Sequence, residues 1–503
     1  MTKRATVILR DCDTYEPERI RAIVREGLEE LDLRPTGRTL VKPNLVIALK
    51  GVFEQACTRS EFADGVLAAL RDRQDSSLEE LAISERGGIT MPTRMIYSQA
   101  GYPAVVRRHG ANRYFFDEVM QVPFELQHPD RLRDLIFVPE PLRNVDFFVN
   151  MPKFKAHPWT TVTFGCKNYI GIQDDRHRLI DHDHRLDEKI ADLQEVIQPQ
   201  FLAVDAITAG QDRMLTPRPY PLNLVIMGDN QVAVDAVCCR IIGVDPASVD
   251  HIRLCHERGY GPLDPDEIEV SGDVSLEQAQ ERGAEFNVGL IRVEEYCKDS
   301  PITALAGPPP EPERTDYCWG GCPGALEEAI EIVRAFEPEA YTKMKPITIV
   351  FGSYDGPLDP KPGEKVVFMG DCSNWKGKLG DEVVDLPSIY VDREHKSPHH
   401  AQVTDIFVKM IKVYWTMFKM RKHRYFRIPG CPNSVAEQVL VLAALGGTKN
   451  PYFAPKTVIP FALGWTAWRL VLLGRFLTGK RYQTRELPAP APAGELPPPD
   501  EGA

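Results

Sequence analysis

Two hydrophobic periods alternate along the first part of the chain. Short apolar runs, which read as strands, fall at Ala5–Leu9, Thr39–Val46, Leu81–Ser84, Asp146–Met151, Phe201–Ala206 and Leu222–Met227. Between them, Pro17–Leu33, Thr93–Gly110, Leu186–Val196 and Val232–Ile242 place apolar residues three or four apart, the spacing of a helix with one buried face. Strands that alternate with helices predict an α/β domain on a mostly parallel sheet.

Ala306–Arg314 (AGPPPEPER) breaks both periods. Proline at that density cannot continue a helix or a ladder and reads as a linker. A second, smaller α/β unit follows, with a helix at Gly324–Ala335 and strands at Ile347–Gly352 and Lys365–Met369. Long helical stretches come next, at Val403–Lys422 and Ser434–Leu445. The expected division is a domain over 1–302, a linker over 303–314, a cysteine-containing domain over 315–485 and a disordered, low-complexity tail over 486–503.

Charge changes this picture at one place. The chain of 503 residues is acidic, with a formal net charge of −12, which excludes a general nucleic-acid coat protein. Residues 403–482, however, carry 13 Lys and Arg against two acids, Asp405 and Glu437, a local charge of +11. Such a basic block on an acidic protein faces a partner. On Val403–Met420 one arc holds Ile406, Phe407, Met410, Val413, Tyr414, Met417 and Phe418, and the other holds Lys409, Lys412 and Lys419. That is the pattern of a helix lying on an anionic membrane surface, although amphipathic helices usually pack on their own domain. Val458–Leu477 is also apolar, with Trp465, Trp468, Arg469 and Arg475 suited to a headgroup boundary. No uninterrupted apolar run reaches the roughly 18 residues of a membrane span, and the N-terminus shows no secretory h-region. The expected location is cytoplasmic, with peripheral attachment to the inner face of a membrane.

Polar residues gather where strands of the first domain end. Lys42 and Asn44 follow one strand; Lys153, Lys155 and His157 follow another; Thr163, Lys167 and Asn168 come a loop later. In open parallel sheets ligands sit beyond the carboxyl ends of the strands. Convergent lysines there favour an anionic small molecule, with Asp205 as counter-charge at the floor of one pocket. His157, Lys155 and Lys167 are the candidate catalytic groups, since a histidine can move a proton near neutral pH. Lys42, Asn44, Lys153, Thr163, Asn168 and Asp205 are the candidate binding groups. The competing reading is that these lysines are solvated surface residues. Asp181-His182-Asp183-His184 has metal-ligand chemistry, but consecutive loop residues cannot all face one ion. Cys238 and Cys239 read as core.

In this order, Val41-Lys42-Pro43-Asn44, Lys155, His157, Thr163, Lys167-Asn168, the histidines His182 and His184, Val204-Asp205 and Val232-Ala233-Val234-Asp235 with Gly243 resemble domain-of-unknown-function family 362 over about residues 5–262. The resemblance implies an iron–sulfur-centre protein without a settled activity. Many members carry a ferredoxin insert of CxxCxxCxxxC spacing, which this chain lacks. The Gly-rich stretch usual after the Val-Asp strand is here the glycine-poor loop Thr208–Pro219.

The sharper signal lies in the second unit. Cys318-Trp-Gly-Gly-Cys322-Pro323, Gly370-Asp371-Cys372 and Pro429-Gly430-Cys431-Pro432 stand at junctions between loops and elements. Helix N-termini favour anionic sulfur, and neighbouring glycines let backbone N–H groups approach it. Four thiolates so placed suit a [4Fe–4S] cluster held by Cys318, Cys322, Cys372 and Cys431; zinc is the runner-up. Asp371, Trp375 and Lys376 lie close enough in sequence to tune its potential. The Pro-Gly-Cys-Pro loop is similar to the cluster-binding small subunits of NADH–quinone oxidoreductases and nickel–iron hydrogenases, except that Asn433 replaces a second proline. No Walker loop and no GxGxxG follows a strand, so the electron donor is expected to be a protein. The sequence therefore reads as an iron–sulfur redox protein acting on an anionic substrate or partner at the lysine cleft. The alternatives are an acid–base or anion-binding protein with a structural metal, and an assembly subunit of a membrane complex.

Overall fold

The computed structural model describes residues 4–479 apart from 90, 174–177, 179–181, 183–184, 310–316, 320, 391–405 and 420. The expected tail, most of Asp181–His184, residues 310–314 of the expected linker and the first two residues of the expected second domain lie outside the described residues.

The first unit is a ten-stranded sheet. Its strands are β1 (Ala5–Asp11), β2 (Arg38–Pro43), β3 (Glu80–Glu85) and β4 (Asn112–Phe115), followed, after a small separate hairpin of β5 (Gln121–Glu125) and β6 (Leu135–Pro139), by β7 (Phe147–Met151), β8 (Lys153–His157), β9 (Thr161–Thr163), β10 (Phe201–Gln211), β11 (Arg218–Gly228) and β12 (Ile268–Gly272). The order is β12-β1-β11-β10-β7-β2-β3-β4, with β8 paired to β10 and β9 to β8. β7 is buried at every position, as a parallel strand covered by helices on both faces must be.

Three local expectations change. β11 is antiparallel to both β1 and β10, because a short loop joins it to β10 and permits no other pairing. Half of the expected loop Thr208–Pro219 is strand, since β10 runs to Gln211 and β11 starts at Arg218, which leaves a loop of 212–217. The helix expected over Thr93–Gly110 is two helices, Thr93–Gln99 and Tyr102–Arg108. Gly101 takes a φ of 88° between them, which no helix interior allows.

The second unit is a five-stranded sheet of β13 (Ile302–Ala306), β14 (Ile347–Ser353), β15 (Lys365–Leu379), β16 (Glu382–Leu386) and β17 (Tyr425–Ile428). β13 pairs with β14 from Ile302 to Ala306, so the linker cannot begin at 303; those residues are an edge strand of the second sheet. β15 does not stop at Met369. It continues through a bulge between its pairing at Met369 and its pairing at Asn374.

The two units share one continuous apolar core. Its polar fastening is Glu328 on the helix Cys322–Phe336. The Glu328 carboxylate accepts hydrogen bonds from the backbone N–H groups of Met214, Leu215 and Thr216 and from the Thr216 hydroxyl, the last three at 2.9, 3.1 and 2.9 Å. A side-chain carbon at Gly324, on the same helix, would fall 3.2 Å from Pro158 Cβ and closer still to Trp159. Only glycine allows this approach.

The C-terminal helices depart from expectation. In the helix Ile406–Lys419, Val413 and Met417 are buried and the Tyr414 hydroxyl accepts from Asn450 at 2.7 Å. Part of the arc read as membrane-facing is thus core, while Ile411, Trp415 and Phe418 are exposed. The segment Pro455–Leu477 is one helix of 23 residues, long and apolar enough to cross a membrane by length and composition. It lies instead along the first unit: Gly464 abuts Met95, and Trp468 Nε1 donates to Asp117 O at 3.0 Å.

Glu328→Ala removes the acceptor for four donors at the seam, three of them backbone amides that have no alternative partner. The expected loss is about 2–4 kcal/mol of unfolding free energy, read by urea denaturation, together with faster proteolysis at residues 212–217.

Candidate functional site

The cysteine corner is built on three turns. Cys322 opens its helix behind Gly321, at φ 144°. Cys372 lies in the β15 bulge two residues after Gly370, at φ 104°, and Cys431 follows Gly430, at φ 142°. Each glycine adopts a conformation closed to L side chains. A carbon added at Gly370 would sit 3.6 Å from Sγ of Cys322 and 3.7 Å from Sγ of Cys372, so both sulfurs flank it. The Asn433 backbone N–H donates to Cys322 Sγ at 3.1 Å.

Burial pushes the Cys322 thiol well up, and the thiols of Cys372, Cys431 and Cys318 push it further. Burial, then Cys318, pushes Cys372 up to about 12. The corner disfavours four bare thiolates and suits a cationic centre that shares their charge. Among the described residues no three His, Cys, Asp or Glu side chains stand where they could hold one metal ion. Four thiols gathered in this way are the donor set of a [4Fe–4S] cluster or of structural zinc. Cys431 is not at a helix start: the helix Val435–Gly446 is capped by Ser434, which leaves Asn433, not Cys431, to direct an N–H at sulfur.

The lysine cleft divides. Lys153 and Asp205 are register partners on β8 and β10 and form a fully buried ion pair at 3.0 Å. Tyr15 OH donates to Asp205 at 2.8 Å, and the Arg59 backbone N–H at 3.0 Å. Lys42 pairs with Glu85 at 2.7 Å and donates to the Asn168 carbonyl at 2.7 Å. Asn168 in turn donates to Asn150 Oδ1, and Asn44 is tied to Thr58. Lys155 donates to the carbonyls of Ala56 and Met214, both at 2.8 Å, and faces Thr163 across the β8–β9 hairpin. Partners on every side hold Lys42, Lys153 and Lys155, and none of the three lines the cavity described next. Asp235 accepts from the N–H groups of Gly165 and Cys166, at 2.7 and 2.8 Å, and so shapes that loop.

Lys167 and His157 stand elsewhere. They line a cavity of about 310 Å³ between the two units, with Trp159, Arg178 and His182. The rest of its wall is largely apolar and includes Phe53, Met95, Phe336, Val458 and Phe461. Pro432 and Asn433 also belong to it, so the cysteine corner and the cavity meet at one residue. His157 Nδ1 accepts from the N–H groups of Trp159 and Thr160, at 3.2 and 3.3 Å, which puts the ring proton on Nε2. Burial holds its pKa well below the usual value. Lys167 has no hydrogen-bond or ion-pair partner among the described residues; burial, then the Lys155 ammonium, brings its pKa down to about 7.

Tyr15, Glu85, Glu328, Arg178 and Asn433 take part in this arrangement without having been singled out as site residues. Glu85 carried a signal, a charged residue closing an apolar strand. Tyr15 and Glu328 carried none, since each acts on a segment more than 100 residues away.

Lys167 also sets a pH dependence. Its pKa is about 7 in the fold against 10.5 for an ordinary lysine. The cost of its buried charge is full below pH 7 and shrinks as pH rises toward the unfolded value. Lys167→Met should stabilise the protein at pH 6 by on the order of 2 kcal/mol, and by less at pH 9. Denaturant unfolding at the two pH values checks this.

Relatives place the first unit. A thylakoid-associated protein of Synechocystis sp. (sll1697) is 22% identical over 271 residues, which span 51% of this chain and 80% of that protein. Two solved structures overlap loosely, each at 11% identity. The lactate racemase apoprotein of Thermoanaerobacterium thermosaccharolyticum has a TM-score of 0.32 over 68% of both chains. A Thermotoga maritima protein has 0.34 over 86% of this chain and 84% of its own. Residues 39–240 match the domain of unknown function DUF362. The likeness to that family is carried by those residues of the first unit.

Proposed function

We propose that this protein is an iron–sulfur redox protein whose substrate occupies the cavity between the two units. Cys318, Cys322, Cys372 and Cys431 would hold a [4Fe–4S] cluster, which supplies single electrons when bound. One observation carries the reading. Asn433 donates its N–H to Cys322 Sγ and also forms part of the cavity wall, so the electron source and the substrate share a boundary one residue thick. The donor is a protein that docks on the second unit.

The chain's own groups do the rest. The apolar wall excludes water and strengthens each polar contact inside it. Lys167 binds an anionic or carbonyl oxygen, and with a pKa near 7 it can deliver or take back the proton that accompanies an electron. His157 presents Nε2–H as a neutral donor, because two backbone N–H groups occupy Nδ1. Lys155 acts through Lys167, whose pKa its charge lowers. Lys42, Lys153, Asn44, Thr163, Asn168 and Asp205 fix the loops that carry these groups. The helix Pro455–Leu477 would hold the protein on a membrane surface, in keeping with the thylakoid association in the name of the Synechocystis relative.

Anaerobically purified protein should carry iron and sulfide and absorb at about 400 nm, with bleaching by dithionite. Cys322→Ser and Cys372→Ser should each lose most of the iron. Zinc at one equivalent with no such absorbance would defeat the proposal.

A further inference from the structure

The helix Pro455–Leu477 is apolar on two opposite sides. Phe461, half-buried, lines the cavity, and the exposed Val458 and Ala462 lie at its open rim. Ile459, Leu463 and Leu470 face outward and are 58, 68 and 62% exposed. A helix that is apolar all round is normally buried all round, and here only 11% of its most apolar window is buried. Beside the exposed leucines, Arg469 lies over the rings of the half-buried Trp465 and Trp468 at 5.1 and 4.8 Å, with Trp468 turned to Asp117 of the first unit, and Arg475 stands nearly two turns beyond. Tryptophan with arginine beside exposed leucines is the composition of a bilayer boundary, and the basic charge suits anionic headgroups.

The charged and imidazole side chains lining the cavity behind this helix all come from residues 157–182 of the first unit. Lys167, unpaired among the described residues, stands there with His157, Arg178 and His182. His182 Nδ1 is buried without a hydrogen-bond partner among the described residues. Toward the helix the lining becomes Met95, Phe336, Val458 and Phe461. The volume, about 310 Å³, is at the small end of ligand sites. A cationic pole with an apolar barrel behind it does not match a small polar metabolite.

We propose that this cavity takes a single-chain amphiphile with an anionic head, drawn from the membrane leaflet on which Pro455–Leu477 rests. The head lies against Lys167 and His182, beside Asn433; the chain runs along Phe461 and Val458. This deepens the redox reading by naming its substrate class, and binding does not depend on the cluster.

The test is calorimetric titration of the full chain with dodecanoate, butanoate and dodecyltrimethylammonium. Dodecanoate should bind once per chain, and the other two at least about tenfold more weakly, since one lacks the chain and the other the charge. Lys167→Met should weaken dodecanoate about tenfold, and Ala462→Trp, which crowds the rim of the cavity, should weaken it as well. Should Ala462→Trp fail to fold by circular dichroism, the chain-length comparison on the unaltered protein decides the matter. Equal binding of butanoate, equal binding of the cation, or no effect of Lys167→Met overturns the proposal. Flotation with phosphatidylcholine–phosphatidylglycerol vesicles tests the leaflet. The protein should float, and Leu463→Glu with Leu470→Glu should release it while leaving dodecanoate binding intact. Failure of the unaltered protein to float overturns the membrane source. Iron is assayed in the same samples. Iron-free protein that binds dodecanoate sinks the redox reading alone, and iron-loaded protein that ignores it sinks this inference alone.

Discussion

The carboxylate of Glu328, buried and ringed by the amides of Met214, Leu215 and Thr216, holds the two sheets at a fixed distance. The helix that carries it begins at Cys322, so the same contact sets where the cysteine corner lies relative to the first unit. It also sets one wall of the cavity, because Met214 and Leu215 lie on one side and Ile332 on the other. Desolvating a carboxylate is costly unless its lone pairs are filled, and here backbone donors fill them. Loop 212–217 and the helix Cys322–Phe336 thereby become a single rigid part, and a site made from both can hold its shape.

The buried lysines follow the same logic. Lys42 and Lys153 each sit fully inside the first unit with one carboxylate. Such pairs add little net stability, but losing one partner leaves a charge without compensation. They keep the strand ends in register and leave Lys167 and Arg178 as the cations that line the cavity. On the proposed reading, binding falls to the lysine with the fewest contacts, and the better-connected ones serve as scaffold.

Much of this was legible in the sequence, and the limits have physical causes. The alternation of periods identified the α/β units, but the polar residues read as following strands lie within them, Lys42 on β2, Lys153, Lys155 and His157 on β8, and Thr163 on β9. The direction of β11 was not legible, because an apolar run looks alike in parallel and antiparallel pairing. The β15 bulge was hidden for a similar reason: Gly370 and Cys372 read as a loop, yet a strand can carry both across a bulge. The arc on Ile406–Lys419 showed which residues are apolar and not what covers them, so the buried Val413 and exposed Phe418 could not be told apart. The cavity had no local signal at all. Its walls come from segments near 46–53, 88–95, 157–182, 214, 332 and 432–462, and only the tertiary fold joins them.

The hydrogen bond from Trp468 to Asp117 spans 351 positions in the chain. During synthesis the first unit leaves the ribosome long before the helix that covers it exists. Met95 and the apolar wall around it therefore stay open to solvent until nearly the whole chain has been made. A contact so distant in sequence forms late and slowly, and an open apolar surface in the meantime attracts chaperones or neighbouring chains. The nascent protein must be sheltered at the very place where the finished one excludes water.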